Sequence, residues 1–112
     1  MKLLLMTALG IGLLAAAADV RAYDATNNVK LLGAGAQSCG TWTTLRRDRQ
    51  DASYVQWVLG FLSGIGAVTE GANPLHDVNS NGVRAWIDNY CRANPLKDIA
   101  DASIAFYHAH PR

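Results

Sequence analysis

Cysteine, histidine and net charge are all scarce in this chain, and each scarcity excludes a class of function. The 112 residues include two cysteines and three histidines, and ten basic residues nearly balance nine acidic ones. Binding to a phosphate backbone needs a concentrated basic face, so nucleic acid is not an expected partner. The two cysteines lack the Cys-x-x-Cys spacing of a redox-active pair.

Alternation of apolar and polar residues is also missing. This absence excludes strands beyond a short extended piece near Val29 to Leu32. Internal repeats are not apparent, and we expect no second domain in these 112 residues. The sequence predicts an all-α fold, a small single-domain bundle of about four helices.

The one long apolar run lies at the N-terminus, from Leu3 to Ala18 after the positive Lys2, as is typical of a secretion signal. Val20-Arg21-Ala22 suits a signal peptidase, so we expect residues 1–22 to be removed; cleavage after Ala18 is the alternative. An uncleaved anchor is disfavoured because the run is near the lower limit for spanning a membrane. No cysteine lies at the end of the run, so a lipid anchor is not expected, and the mature protein is expected in the periplasm.

The expected mature chain has a flexible lead-in, 23–37, and a helical domain, 38–112. So small a core gives marginal stability by itself. In an oxidising compartment Cys39 and Cys91 are expected to form one structural disulfide. Closing that loop stabilises the fold by about 4 kcal/mol in the chain-entropy model.

Two helices are predicted in the first half of this domain. Ser38 is placed to cap the first, which carries Cys39 and Trp42 on one face and ends near Arg49. Asp51 is placed to cap the second, the expected centre of the core, whose apolar residues recur at the spacing of a buried stripe. That stripe consists of Val55, Val58, Leu59, Leu62, Ile65 and Thr69.

Two more helices are predicted after a loop from Glu70 to Gly82. Asn79 or Ser80 is placed to cap the third helix. Asn94 is placed to cap the fourth, with Pro95 in its first turn, where a missing amide costs nothing. The apolar stripes are Val83, Trp86, Ile87, Tyr90 and Cys91 in the third helix, and Leu96, Ile99, Ser103 and Phe106 in the fourth.

Glycine is frequent within the second predicted helix, although each glycine disfavours a helix by about 1 kcal/mol relative to alanine. Gly60 and Gly64 share one face, and their spacing permits another helix, or a tryptophan, to approach the backbone closely. A phosphate-binding role is not expected, because no loop with a lysine precedes a helix N-terminus here. The residues predicted to serve helix packing are Gly60, Gly64, Trp42, Trp57 and Trp86.

Three arginines, Arg46, Arg47 and Arg49, lie close together near the end of the first predicted helix. Asp48 and Asp51 interleave with them. Mixed charge of this kind is typical of a solvated helix end, which is the expectation here.

Residues able to support catalysis do not form a recognisable constellation. Ser63 has no nearby histidine with an orienting acid, and Asp77 and Asp88 are expected to be solvated carboxylates. His108-x-His110 offers two imidazoles to a metal but no third or fourth ligand. We therefore expect no enzyme, no cofactor and no metal.

A resemblance to a known family rests on Cys39, on the tryptophan-containing middle helix and on Asn89-Tyr90-Cys91-Arg92-Ala93-Asn94-Pro95. With these features the chain resembles the HdeA/HdeB family of periplasmic acid-stress chaperones. The resemblance implies a homodimer at neutral pH that loosens in acid and shields unfolding client proteins.

A second resemblance offers an alternative. Leu59-Gly60-Phe61-Leu62-Ser63-Gly64, followed by Val83 to Pro111, is similar to the Tai-type immunity proteins. These helical periplasmic proteins neutralise secreted effectors that cleave peptidoglycan. An envelope protein with a structural or interaction role, belonging to neither family, is the third hypothesis.

Acid loosening is also expected from charge alone. Removal of Lys2, Arg21 and Asp19 with the signal leaves eight basic and eight acidic residues. Protonating the carboxylates and three histidines would bring the mature chain to about +11, and self-repulsion would oppose the compact state. The apolar residues then expected to meet a client or partner are Trp57, Phe61, Ile65, Trp86 and Phe106.

Overall fold

Four α-helices build the fold of the chain, as seen in a computed structural model that describes residues 29–112. Leu31–Arg112 forms one compact unit. The predicted signal peptide, 1–22, and the start of the lead-in, 23–28, lie outside the described residues. Within residues 29–112 no helix is long and apolar enough to cross a membrane.

The helices confirm the predicted all-α class. Within residues 29–112 there is no strand, and one isolated antiparallel bridge joins Ser38 to Asp98. In chain order the helices are α1 (Cys39–Arg47), α2 (Ala52–Val68), α3 (Ser80–Ala93) and α4 (Ile99–Ala109).

Two of the predicted helix starts are confirmed by their caps. The Ser38 hydroxyl accepts a hydrogen bond from the Thr41 amide at 3.1 Å, and the Asn79 side chain accepts one from the Gly82 amide at 2.9 Å. Each cap satisfies an amide that a helix leaves without an internal partner. Asp51 precedes α2 as predicted, but its side chain does not cap the helix.

The fourth helix begins later than predicted. Asn94 ends α3 instead, with its side-chain amide donating to the Tyr90 carbonyl, and Pro95 lies in a turn. Asp98 caps α4, because its carboxylate accepts from the Asp101 amide while the Asp101 carboxylate accepts from the Asp98 amide. This reciprocal capping box satisfies two amides at once. Leu96, predicted to face the core, is 98% exposed.

The core lies where the apolar stripes of the helices meet. The disulfide between Cys39 and Cys91 is buried in it, with the Cα atoms 4.9 Å apart, so the predicted pairing is confirmed. Burial of large apolar side chains is the main stabilising contribution in a domain of this size. The largest fully buried side chains are Trp42, Phe106, Leu62, Ile87, Ile99, Val55, Val58 and Val83.

Part of the predicted lead-in packs on the helical unit. Gly33–Ala36 forms a 3-10 helix, and the Trp57 indole N–H donates to the Leu32 carbonyl at 2.9 Å. A Cβ atom placed on Gly35 would overlap the six-membered ring of Trp57. The close approach of a tryptophan to a glycine therefore occurs at Gly35.

The predicted packing role of Gly60 and Gly64 is wrong within this unit. Both glycines are exposed, and a Cβ atom on either would meet no described atom within 4 Å. Helix α2 buries the opposite face through Val55, Val58 and Leu62. Of the three tryptophans predicted to pack between helices, Trp42 is fully buried, and Trp57 and Trp86 are half-buried.

Candidate functional site

The Asp88 carboxylate on α3 is the meeting point of three donors from α1. Its Oδ1 accepts from the Trp42 indole at 2.7 Å and from Arg46 Nε at 2.9 Å. Its Oδ2 accepts from Arg46 Nη2 at 2.8 Å. Charge-assisted bonds of this length, in a two-pronged arrangement, are the strong kind. The prediction of Asp88 as a lone, solvated carboxylate is therefore wrong, and Arg46 belongs to a partly buried ion pair rather than to a solvated helix end.

Asp51 adds a second carboxylate to the same region. Its side chain is only 10% exposed and lies 3.5 Å from Arg46 Nη1 and 3.2 Å from Arg84 Nε. Arg46 thus lies between the two carboxylates, and Asp51 ties the start of α2 to both α1 and α3. We call these residues the Asp88 cluster: Trp42, Arg46, Asp51, Arg84 and Asp88.

The environment of Asp88 changes its acidity. Burial of the carboxylate raises its pKa, but the hydrogen bonds from Arg46 and Trp42, with the charges of Arg46 and Arg92, outweigh burial. The pKa of Asp88 therefore lies below its ordinary value. The pKa of Arg46 is raised, chiefly by its hydrogen bond to Asp88. Each partner favours the charged form of the other.

A second set of links joins the ends of α1, α3 and α4 without using any ionisable side chain. Alongside the disulfide, the Cys39 amide donates to the Lys97 carbonyl at 2.8 Å, and the Ile99 amide donates to the Gln37 carbonyl at 2.9 Å. We call the disulfide and these two main-chain bonds the disulfide junction. A change of pH does not titrate any of its three bonds.

Asp98 caps α4 next to this junction. Its pKa is shifted in the opposite direction from the pKa of Asp88. Burial raises its pKa, as does the neighbouring Asp101 carboxylate, although main-chain hydrogen bonds lower it. The net direction is upward. The cap of α4 and the Asp88 cluster therefore respond differently to acid.

The residues predicted to contact a client fall into two groups in the folded state. Trp57 stacks on Phe61 within α2 with ring centres 5.1 Å apart, and Ile65 follows one turn later, half-buried. Trp86 meets Phe106 edge to face at 5.3 Å, and Phe106 is only 1% exposed. Phe106 is therefore not accessible to another protein in the folded state.

The histidines lie in different environments. His110 stacks on Phe106 at 4.2 Å with Nδ1 3.0 Å from the Phe106 carbonyl, while His108 and His76 are exposed. Within residues 29–112 no three His, Cys, Asp or Glu side chains are grouped to hold a metal ion. Ser63 lies exposed on α2.

The Asp88 cluster was not predicted from the sequence, although the spacing of its members gives a weak indication of it. Trp42 and Arg46 are four residues apart, as are Arg84 and Asp88, so each pair shares a helix face. The partners of Asp88 are 46 and 42 residues away along the chain. Helical periodicity identifies the faces but does not say which faces meet.

Comparisons with protein-family models, with curated proteins and with solved structures found no match for the chain. The resemblances stated for the sequence therefore stay predictions, and the function is proposed from the contacts of the described residues.

Proposed function

We propose that the chain is a periplasmic acid-stress chaperone of the HdeA/HdeB type, which binds unfolding proteins without catalysis. The observation that carries the proposal is the Asp88 cluster, in which α1 is held to α3 through a carboxylate that acid neutralises. The disulfide junction lies between the same helices and has no bond that acid titrates. The protein thus has an acid-sensitive link and an acid-insensitive link in parallel.

The direction of the acid effect follows from the pKa of Asp88. A carboxylate whose pKa is lower in the folded state stabilises the fold above its unfolded pKa. That stabilisation is lost as the pH falls below 3.8, the ordinary pKa of an aspartate, and through the lower pKa of Asp88 in the folded state. Protonation leaves Arg46 beside a neutral partner, with Arg84 nearby, and the growing net positive charge adds repulsion.

The disulfide junction limits how far the chain opens. With Cys39 and Cys91 joined, the loosened chain stays partly collapsed, as acid states of small proteins commonly do. Apolar surface of α2 and of the Trp86–Phe106 contact becomes available to clients. The client-binding residues in this proposal are Trp57, Phe61, Ile65, Trp86 and Phe106.

Light scattering of a periplasmic extract brought to about pH 2.5 tests the chaperone function, because clients lose their own carboxylate interactions there. We expect less aggregation with the purified protein than without it. Equal aggregation would contradict the proposal.

A matched pair of variants links protection to the Asp88 cluster. Asp88→Asn removes the titrating charge, so protection is expected to begin at higher pH than in the unchanged protein. Asp77→Asn is the control, because the Asp77 side chain is 89% exposed and its one ion pair within residues 29–112 is with the exposed His76. An identical onset of protection in both variants would argue against a role for Asp88.

The alternative function, a Tai-type immunity protein, draws support from a different observation. Helix α2 carries no charged residue, although Gln56, Gly60, Ser63, Gly64 and Ala67 are exposed along it. An uncharged exposed face suits a folded partner, since interface cores are depleted in charge. Recovery of a peptidoglycan-cleaving enzyme in a pull-down, and a gene beside that of a secreted amidase, would favour this function. Failure of both this test and the scattering test would leave the third hypothesis, an envelope interaction protein.

A further inference from the structure

A cleft of about 300 Å³ opens between α1 and α3 beside Asp88. Thr43 and Arg47 lie one turn apart on α1, and Asp88 and Arg92 lie one turn apart on α3, so each pair lines one wall. Arg46 completes the lining. We call this site the α1–α3 cleft.

The charges lining the cleft do not balance. Three arginines face one carboxylate, and that carboxylate already accepts hydrogen bonds from two Arg46 nitrogens and the Trp42 indole. Arg46 and Asp88 therefore neutralise each other. The positive charges of Arg47 and Arg92 remain.

Arg47 and Arg92 are weakly paired in the part of the chain that the structure describes. Arg47 Nε lies 3.4 Å from a carboxylate oxygen of Asp48, and both side chains are exposed. Such surface pairs contribute little. Arg92 Nη1 donates to the neutral side-chain oxygen of Asn89 at 2.7 Å. Both guanidinium groups keep further N–H donors.

We infer that the α1–α3 cleft binds a phosphomonoester group between Arg47 and Arg92, with the Thr43 hydroxyl as a further hydrogen-bond donor. Guanidinium forks match the oxygens of phosphate in spacing and direction. A dianionic phosphomonoester neutralises both remaining charges, whereas a carboxylate neutralises one. At about 300 Å³, the cleft has room for a phosphate with a small organic group.

This inference does not rest on the proposed chaperone function, although the cleft shares Arg46 and Asp88 with the Asp88 cluster. Client binding uses apolar residues that acid exposes, whereas the cleft is present in the folded state near neutral pH. A chain that fails to protect clients can still bind a phosphomonoester, and the two tests have different readouts.

The experiment is a titration of the isotope-labelled protein with glycerol phosphate at neutral pH and low salt, followed by NMR. We expect saturable shifts of the Thr43, Arg47 and Arg92 amides, with a Kd on the order of 1 mM for one solvent-accessible anion. Acetate at the same ionic strength is expected to bind more weakly. Absence of saturable shifts at these residues, or equal binding of acetate, would overturn the inference.

Single substitutions test the two arginines. Arg47→Gln and Arg92→Gln are each expected to weaken binding about fivefold, since each removes one charge-assisted contact. Arg49→Gln is the control, because Arg49 is exposed at the same end of α1 but does not line the cleft. An equal loss in all three variants would indicate general charge attraction and overturn the site.

Vesicles distinguish the two sources of a phosphomonoester. Cosedimentation with vesicles that contain phosphatidic acid, but not with phosphatidylglycerol vesicles of equal charge, assigns a lipid headgroup. Binding of soluble glycerol phosphate without cosedimentation assigns a free phosphate ester. Cosedimentation with both lipids, without saturable binding of glycerol phosphate, would contradict the inference.

Discussion

The indole N–H of Trp42 donates to the carboxylate of Asp88 across 2.7 Å, although 46 residues separate the two along the chain. Trp42 is fully buried, and the Asp88 side chain is 23% exposed. The contact therefore joins the apolar core to a carboxylate that water can still reach. A proton can arrive at Asp88 without prior unfolding, which makes the contact a suitable site for an acid response.

Replacing Asp88 with asparagine should reduce stability at neutral pH and flatten its dependence on acid. Loss of the closer of the two carboxylates that Arg46 contacts is expected to cost about 2 kcal/mol. Because the folded pKa of Asp88 is lowered, the unchanged protein loses this contribution as the pH falls through that value, whereas the variant has none to lose. Urea unfolding followed by tryptophan fluorescence, at neutral pH and at about pH 3, measures both effects. Equal acid losses of stability in variant and unchanged protein would show that Asp88 does not govern the response.

Reduction of the disulfide should impair refolding after acid treatment. Its effect on the folded structure at neutral pH should be smaller. Reduction restores the full loop entropy of the unfolded chain, a loss of about 4 kcal/mol of stability. An acid-treated, reduced protein is therefore expected not to refold on neutralisation, while the oxidised protein recovers. Near-UV circular dichroism before and after an acid pulse gives the comparison. Full recovery of the reduced protein would contradict the role assigned to the Cys39–Cys91 bond.

Glycine-to-alanine substitutions should have opposite effects on the stability of the fold in α2 and in the 3-10 helix. Gly60→Ala and Gly64→Ala are expected to stabilise the fold by about 0.5–1 kcal/mol each, because their new methyl groups would meet no described atom within 4 Å. Gly35→Ala is expected to destabilise it by about 1–3 kcal/mol, because its methyl group overlaps the Trp57 ring.

Thermal unfolding of the three single variants measures these differences. A destabilising Gly60→Ala would mean that a partner or a second copy of the chain packs on the exposed face of α2. Dilution would separate those cases, since only self-association depends on protein concentration.

The start of α4 can be tested by two matched substitutions. Asp98→Ala removes the N-cap and is expected to cost about 1 kcal/mol, whereas Asp98→Asn keeps a capping oxygen and should cost less. Since the pKa of Asp98 is raised, this residue favours the fold most at low pH, and that contribution is lost as the pH rises through its folded pKa. The difference between the alanine variant and the unchanged protein should therefore persist in acid. Denaturant unfolding at both pH values tests this, and disappearance of the difference in acid would refute it.

Local sequence signals accounted for most of the fold. Apolar periodicity identified four helices, and Ser38 and Asn79 cap the helices for which they were predicted. The fourth helix was predicted to begin at Asn94-Pro95, because this pair is also typical of a helix N-terminus. The reciprocal contacts of Asp98 with Asp101 decide the true start, and a capping box is itself a local pattern that could have been read.

The exposed position of Gly60 could also have been predicted from its angle around the helix relative to the buried residues. At about 100° per residue, Gly60 lies about 200° around the helix from Val58, on the side away from the buried stripe. Membership of the Asp88 cluster was not predictable in this way. It depends on which faces of α1 and α3 meet, and the contacts that α3 makes in the cluster join residues 33 to 46 positions apart.

Hydrogen exchange detected by NMR during an acid titration tests the central claim most directly. The claim is that acid opens the Asp88 cluster while the disulfide junction holds. We predict that the Trp42 indole N–H loses protection as the pH falls through the folded pKa of Asp88, while the amides of Cys39 and Ile99, bonded to Lys97 and Gln37, stay protected. Simultaneous loss at all three sites, or an indole still protected at about pH 2, would contradict the account.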